Sequence, residues 1–416
     1  MTTTSNDWLK RTLLAFFALF VVGSTFSIAL AQTALGFSLI LFIIICIRDR
    51  YQPFVIQLNW VWLFIALYFS WLLLSCALGA TPLRSMLIAK EEWLFLIMPM
   101  AIYLATDQRH RRQLATAFAI AVGIVSLYGI SQAITGMAYL KIVDGKLTSA
   151  PILEASGNFS NCMTFGNYCV TAGSFLLCLG LAGSDESRQR RLLFSISGLL
   201  AIAVAIITLR RGAIAAAVVT LLLLAVLLRS RLRWLVAALG VTAIAVIIAV
   251  PGLQGRFSEQ AAKDMSSDYP GSRVYIWTRS LDIVKSHPVF GVGQGNFYDE
   301  YVARLPVDIT DNRKLTHAHN DFINVAAIAG IPGALFFIGI WLAVFHFLWH
   351  GSRKRHWSSA DRAFCLAAFL AGVAFLITSM VEATFADEEV RQMLMFVWAI
   401  GLASWYKSSE QSIQTA

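Results

Sequence analysis

Long apolar runs recur along almost the whole chain, and they constrain its fold more than any motif does. Of the 416 residues, 58% are hydrophobic and only 14% are charged, whereas a soluble domain carries about 25% charged residues. A helix satisfies its own backbone hydrogen bonds in lipid, so runs of about 20 apolar residues are expected to cross a membrane as helices. The sequence therefore predicts an all-α polytopic membrane protein.

About twelve membrane spans fit these runs. The first run, 13–47, is long enough for two spans that turn near Gln32. The other spans cover approximately 59–78, 86–105, 114–134, 162–181, 193–209, 213–228, 235–250, a run that begins near Phe322, 363–383 and 390–405. The predicted organisation is 1–251 with spans one to nine, a long polar loop at 252–321, and 322–416 with spans ten to twelve and a cytoplasmic tail.

The basic residues predict the orientation of these spans through the positive-inside rule. Twelve spans place both termini on one side, together with Lys10 and Arg11. Five basic turns fall on that side: Arg48/Arg50, Arg109/Arg111/Arg112, Arg188/Arg190/Arg191, Arg229/Arg231/Arg233 and Arg353/Lys354/Arg355. That side is predicted to be cytoplasmic, which leaves the long loop on the outer face. The net charge of +9 is therefore attributed to topology and not to nucleic-acid binding.

Arg210 and Arg211 break this rule, because they lie between spans seven and eight on the predicted outer face. One interpretation is that their side chains reach outer lipid headgroups. The other is an anion site, since a guanidinium binds phosphate oxygens in a bidentate manner and stays charged at physiological pH.

The first feature of the long loop is a predicted amphipathic helix over 273–286. Val274, Trp277, Leu281 and Val284 recur at helical spacing, which favours a helix on the membrane surface. Arg273 at its start is either a solvated residue or a second cation for the Arg210-Arg211 pair. The glycines at 291, 293 and 295 follow no strand and precede no Lys-Ser/Thr, so they predict a tight backbone turn and not a nucleotide loop.

His317 and His319 form the histidine pair of the loop, directly before span ten. Asn320 or Asp321 is expected to cap the helix that follows. The positive end of that helix favours a neutral imidazole at His319, which can accept a proton as a general base. The competing interpretation is a surface histidine in a turn. No further cysteine or acidic ligand completes a zinc set in the sequence, so no metal and no cofactor is expected.

Four motifs in the C-terminal two-thirds of the chain follow one another in order. Arg-Gly after an outer-facing span precedes Arg-x-x-x-Trp, then Pro-x-x-Gly-x-Gly-x-Gly-Asn, then His-Asn-Asp-Phe before Ala-x-x-Gly-Ile-Pro-Gly. This order, with the long loop before the last three spans, resembles the O-antigen ligase and O-antigen polymerase superfamily of bacterial membrane glycosyltransferases. The first five spans match that superfamily only in hydropathy.

The resemblance implies a GT-C-like transferase of the bacterial inner membrane whose active site faces the periplasm. Arg211 and Arg273 would hold the diphosphate of an undecaprenyl-diphosphate-linked glycan, and His319 would be catalytic. The family often has Ser where Arg210 stands, so the share of Arg210 in phosphate binding is open. The acceptor would be a lipid A-core sugar, and transfer would be inverting and metal-independent. His317, Asn320 and Asn158 are possible acceptor or cleft residues.

Two other functions stay open from the sequence. A polymerase of the same superfamily would extend the glycan on its lipid carrier instead of moving it to lipid A-core. A secondary transporter would place ionisable residues at the bilayer midplane and show two related halves. The spans carry almost no central charges, and the one long loop does not divide the chain in the middle, which disfavours the transporter.

Overall fold

A computed structural model of the chain describes residues 5–54, 56–143, 146–149, 155–228, 230–249, 258–259, 262–267, 271–306 and 315–414. Its helices are α1 Ser5–Phe26, α2 Ile28–Arg48, α3 Asn59–Leu78, α4 Pro82–Ala89, α5 Ile97–Ala105, α6 Gln108–Thr135, α7 Cys162–Ala182, α8 Arg188–Ile207, α9 Arg211–Leu227, α10 Leu232–Ala249, α11 Arg273–Ser286, α12 Phe297–Val302, α13 Asp321–Arg353, α14 Ser359–Ser379 and α15 Glu388–Gln414. Three short 3-10 helices cover Ile56–Leu58, Lys90–Leu96 and Thr384–Ala386. The helical class predicted from the sequence is confirmed.

One small antiparallel hairpin departs from the all-α prediction. Its strands are β1 Met137–Val143 and β2 Lys146–Ser149, which pair with each other. They lie where the sequence analysis left a polar loop between the fifth and sixth predicted spans. The predicted boundary at 251/252 lies outside the described residues.

Eight of the described helices are long and apolar enough to cross a membrane by length and composition. They are α1, α2, α3 with the 3-10 turn before it, α6, α7, α8, α13 and α14. The chain is therefore described as a polytopic membrane protein, and the count of twelve spans stays a prediction.

The fourth predicted span, 86–105, is not one continuous helix. It is divided among α4, the 3-10 helix Lys90–Leu96 and α5. Glu91 and Glu92 lie in the 3-10 helix. A continuous membrane-spanning helix over the same residues would place both carboxylates in lipid. Pro99 is the third residue of α5, near the start of that helix, where proline is better tolerated than in a helix interior.

Among the eight candidate spans, helix α7 has the largest buried share, and every residue from Thr164 to Gly180 is buried. Its backbone approaches α8 closely, because a Cβ added at Gly198 would lie 2.5 Å from the backbone nitrogen of Leu177. Small residues that allow such close contact are typical of helix pairs in membranes. This packing fixes the C-terminal half of α7 against α8.

Helix α13 is interrupted at Gly330, and the glycine turn of the long loop docks onto the interruption. Gly330 has φ +72° and ψ 179°, so nearby carbonyl groups leave the helical hydrogen-bond pattern. Val292 and Gly293 donate their backbone N–H groups to the carbonyls of Ala327 and Ile328 at 3.0 and 2.9 Å. In return, the N–H of Ile331 donates to the carbonyl of Pro288 at 2.8 Å. The predicted tight backbone turn is confirmed.

Helix α3 fastens the same junction from the other side. The Ser75 hydroxyl lies 2.5 Å from the carbonyl oxygen of Phe290 and 2.8 Å from that of Ile328. The Trp71 indole nitrogen donates to the carbonyl of Ala329 at 2.9 Å, and its ring stacks on Phe290. The loop is thus attached to α13 by backbone hydrogen bonds and to α3 by the side chains of Ser75 and Trp71.

We expect Gly291→Ala to lower the stability of the protein by at least about 2 kcal/mol. Gly291 has φ +63°, and an added Cβ would lie 2.5 to 2.6 Å from backbone atoms of Ala327, Ile328 and Ala329. The melting temperature of the purified protein in detergent measures this loss. Gly36→Ala is the matched control, since an added Cβ there meets no described atom within 4 Å and alanine favours a helix. Equal melting temperatures for Gly291→Ala and the wild type would contradict the close docking.

Candidate active site

The histidine pair lies in the turn that leads into α13. The side-chain oxygen of Asn320 accepts hydrogen bonds from the N–H groups of Phe322 and Ile323, both at 3.0 Å, which confirms a helix cap at this position. The Asn320 amide nitrogen donates to the carbonyl of Met380 at 2.9 Å. Both ends of this side chain therefore have partners within the protein, which favours a positioning role over a role in the cleft.

His319 adopts a backbone conformation that is uncommon for a residue with a side chain. Its φ is +49°, in the left-handed region that L-residues rarely occupy. Such strain persists only where the surrounding structure enforces it, and it concentrates at functional sites. The Trp277 indole nitrogen donates to the His319 carbonyl at 3.4 Å, so helix α11 helps to hold the turn.

Glu382 joins the groups of this site. It lies in the 380–387 segment, which connects α14 and α15. One of its oxygens, Oε1, is 2.5 Å from His319 Nδ1 and 3.9 Å from His317 Nδ1. The other, Oε2, accepts from the Arg273 guanidinium at 3.0 Å. Only 10% of the Glu382 side chain is exposed, so the histidine turn, α11 and the 380–387 segment meet around one buried carboxylate.

The charge of Glu382 determines which ring nitrogen of His319 carries a proton. Burial raises the pKa of Glu382, but the hydrogen bond and charge of His319, together with Arg273, outweigh burial and leave the pKa below its ordinary value. Glu382 is therefore a carboxylate at neutral pH, and a carboxylate only accepts hydrogen bonds. It follows that Nδ1 of His319 donates to Glu382, and Nε2 of a neutral ring is left to accept a proton.

His317 has the complementary arrangement. Burial lowers the pKa of His317 to about 4, and the neighbouring His319 adds to this shift. The ring is therefore neutral at pH 7. Its Nδ1 accepts from the backbone N–H of His319 at 3.4 Å, so its proton lies on Nε2. His317 can donate a hydrogen bond to a bound group, whereas His319 can accept one.

The arginine turn between α8 and α9 lies against the segment that carries Glu382. Arg210 occupies the N-cap position of α9 and donates to Cys162 Sγ at 2.8 Å. Arg211 forms an ion pair with Asp264. A Cβ added at Gly212 would lie 2.8 Å from a methyl group of Val381, which places the start of α9 next to Glu382. Of the three arginines proposed from the sequence, Arg273 contacts the 380–387 segment directly. Arg210 and Arg211 lie at the start of α9, which packs against that segment at Val381.

The N-terminal end of α7 faces the same segment. Thr164 donates to Asp387 at 2.9 Å, and Asn167 donates to Thr384 at 3.3 Å. Burial raises the pKa of Asp387 to about 7, and the negative charges of Glu382 and Glu389 add to this effect. Asn158, proposed from the sequence as a cleft residue, precedes α7 and has no contact with the histidine cluster among the contacts described.

Glu382 was not identified by sequence reasoning. It stands near the end of an apolar run, 63 residues after His319, and no local motif marks it. The signal in the sequence is a lone carboxylate at the predicted outer end of a span, where an acidic side chain needs a partner. Glu382 pairs with His319 of the histidine turn, and this pairing becomes visible only when α13 is packed against α14.

His317, His319 and Glu382 present ligand atoms that all lie within 4.8 Å of one another, a spacing that could hold a metal ion. The expectation that the histidine pair lacks a further ligand was therefore wrong, because Glu382 supplies a carboxylate. Arg273 pairs with the same carboxylate, and its positive charge opposes a cation at this position. The absence of a metal cofactor stays a prediction.

Part of the chain matches a known family model. Residues 196–338 match the family model described as O-antigen ligase, a range that contains Arg210, Arg211, Arg273 and His319. The matched range is about a third of the chain, and this similarity supports an O-antigen ligase superfamily assignment. This family implies a lipid-linked glycan and a lipid acceptor in general. Glu382 lies outside the matched range, and no curated protein matches the chain.

We expect the wild-type protein to lose stability relative to His317→Gln as the pH falls from about 6.5 to about 4. In this window the unfolded chain binds a proton at His317 and the folded chain does not, so acidification favours unfolding. The relative loss approaches roughly 3 kcal/mol at the acidic end. Denaturant unfolding of both proteins in detergent at several pH values measures it. A constant difference across this range would contradict the buried neutral His317.

Proposed function

We propose, on the basis of this superfamily assignment, that the protein is an O-antigen ligase. It transfers a glycan from undecaprenyl diphosphate to a sugar hydroxyl of lipid A-core, at the periplasmic face of the bacterial inner membrane. A GT-C-like bundle of about twelve spans carries the site. The observation that supports this proposal most directly is the carboxylate of Glu382, which pairs a base candidate with a phosphate-binding candidate.

The arginines stabilise the leaving group in this proposal. When the glycan leaves its carrier, the bond between C1 and the phosphate oxygen breaks, and negative charge develops on the diphosphate. Arg210, Arg211 and Arg273 supply fixed positive charges for it, and such preorganised charges stabilise a developing anion without solvent reorganisation. The N–H groups at the start of α9 add a partial positive charge at the same place.

His319 activates the acceptor in this proposal. Its Nε2 removes the proton of the attacking hydroxyl as the acceptor oxygen forms a bond to C1, so the proton ends on the imidazole ring. Attack from the side opposite the diphosphate inverts the anomeric centre. Glu382 holds the ring through Nδ1 and stabilises the imidazolium that forms. His317 donates from Nε2 to the acceptor oxygen and orients it.

We expect purified wild-type protein in liposomes to convert undecaprenyl-diphosphate-linked glycan and lipid A-core into glycan-capped lipid A-core in the presence of EDTA. His319→Ala removes the base and is expected to lower the rate by about 10²- to 10⁴-fold. Arg211→Ala is expected to abolish detectable product by removing a charge from the leaving-group site. Product is measured by gel mobility and mass spectrometry.

His356→Ala and Arg188→Ala are matched controls, because both side chains are exposed and outside the site. Longer lipid-linked glycan without capped lipid A-core would reassign the protein as a polymerase. Activity that EDTA removes and a divalent metal restores would contradict the metal-independent mechanism. Unchanged activity in His319→Ala would contradict the base assignment whichever product forms.

We expect Glu382→Gln to lower kcat by about 10²- to 10⁴-fold and also to change the KM of the donor, because the same charge positions Arg273. Glutamine keeps the shape of the side chain but lacks the charge that stabilises the imidazolium. Glu382→Asp retains the charge and is expected to recover part of the loss. Glu388→Gln is the control for the same chemical change at a nearby position, where the carboxylate contacts Gln32 and Gln392. A wild-type kcat in Glu382→Gln would contradict the positioning role.

A further inference from the structure

A cavity of about 310 Å³ opens beside the histidine turn. We name it the α4–α15 cavity, and its polar lining includes Arg84, Glu92, Gln294, Tyr298, His317 and Arg391. It lies between α4 with the following 3-10 helix, the glycine turn before α12, and the start of α15. Its volume is at the lower end for ligand pockets, which suits one or two sugar rings and not a long glycan.

Three buried atoms of this lining have no hydrogen-bond partner among the described residues. They are Glu92 Oε2, Gln294 Oε1 and Arg391 Nε. The three side chains also contact one another. Gln294 Nε2 and an Arg391 Nη atom both donate to Glu92 Oε1 at 3.2 Å. Glu92 and Arg391 are only 3% and 4% exposed. Buried polar atoms are nearly always paired, so this trio has unused capacity for a polar ligand.

The lining of the α4–α15 cavity has no excess of positive charge, in contrast to the three arginines assigned to the diphosphate. Arg84 and Arg391 are accompanied by three carboxyl groups, Glu91, Glu92 and Asp321, and Tyr298 adds a hydroxyl group. Phe297 and Phe385 contribute aromatic surface. Neutral donors and acceptors beside aromatic faces match a sugar ring, which has hydroxyl groups around its edge and apolar C–H faces. A diphosphate would find no net positive charge here.

We propose that the α4–α15 cavity binds the acceptor sugar and presents its hydroxyl to the histidine pair. This inference rests on the proposed transfer reaction and adds the location of its second substrate. The cavity reaches the site at His317. Arg273 contacts the site at Oε2 of Glu382. The start of α9, which follows Arg210 and Arg211, packs against Val381 at Gly212. In this proposal the acceptor contacts the site at His317 and the diphosphate contacts it at Arg273, so the two substrates use different residues.

Gln294 is the residue that best tests this assignment. Its backbone carbonyl accepts a hydrogen bond from the Ser85 hydroxyl at 2.8 Å, so the turn stays fastened when the side chain is removed. Glu92 and Arg391 form a buried ion pair, and truncating either leaves an unpaired buried charge. Tyr298→Phe provides a second variant that deletes a single hydroxyl group.

We expect Gln294→Ala to raise the KM of lipid A-core by about tenfold and to leave the KM of the undecaprenyl-diphosphate donor unchanged. Each constant is measured with the other substrate at saturation. Tyr298→Phe is expected to change the same constant in the same direction. Val289→Ala is the matched control, because this half-exposed side chain belongs to the same loop but is outside the cavity.

The outcomes separate this inference from the proposed function. A rise in the donor KM alone would assign the cavity to the donor glycan and overturn the inference. Unchanged constants in both variants, with activity still lost in His319→Ala, would overturn it and leave the transfer reaction intact. If the wild-type protein makes no product, the proposed function fails.

In that case calorimetry tests the cavity directly, by measuring how soluble core oligosaccharide binds to the protein without the donor. Equal affinity in the wild type and in Gln294→Ala would overturn the role of the cavity.

Discussion

The buried carboxylate of Glu382 is the interaction on which the rest of the site depends. A charge that is removed from water needs partners, and Glu382 has two of opposite function, His319 on one oxygen and Arg273 on the other. These partners are 63 and 109 residues away along the chain. The site therefore forms only when α11, the histidine turn and the 380–387 segment are packed together. One negative charge sets the tautomer of the base candidate and the position of a cation.

The residues around Glu382 attach the histidine turn to the 380–387 segment at several points. Asn320 donates to the carbonyl of Met380. Asp321, the first residue of α13, accepts from the Ser379 hydroxyl at 2.6 Å and from the N–H of Phe385 at 3.0 Å. These bonds explain how His319 keeps a strained backbone, because its neighbours have no freedom to relax. Conformational energy is thus concentrated at the residue that the mechanism assigns to proton transfer.

Local patterns in the sequence were sufficient for the features that depend on a few consecutive residues. Helix α11 begins and ends where the spacing of Val274, Trp277 and Val284 predicted, and Asn320 caps α13 because a cap needs only its own helix. The division of the fourth predicted span was missed, since hydropathy outweighed Glu91, Glu92 and Pro99. Glu382 and the α4–α15 cavity were also missed. The contacts of Glu382 and the lining of the cavity both involve side chains from distant segments. No short stretch of the sequence predicts that these segments lie together.

The docking of the glycine turn onto the interruption of α13 has a consequence for how the chain can vary. Three backbone hydrogen bonds join 288–293 to 327–331, and the Ser75 hydroxyl lies within hydrogen-bond distance of a carbonyl oxygen on each side. An inserted or deleted residue within either stretch would shift all of these contacts out of register at once, whereas a side-chain replacement at an exposed position would shift none. Changes in loop length among natural variants are therefore expected only at positions outside these two stretches.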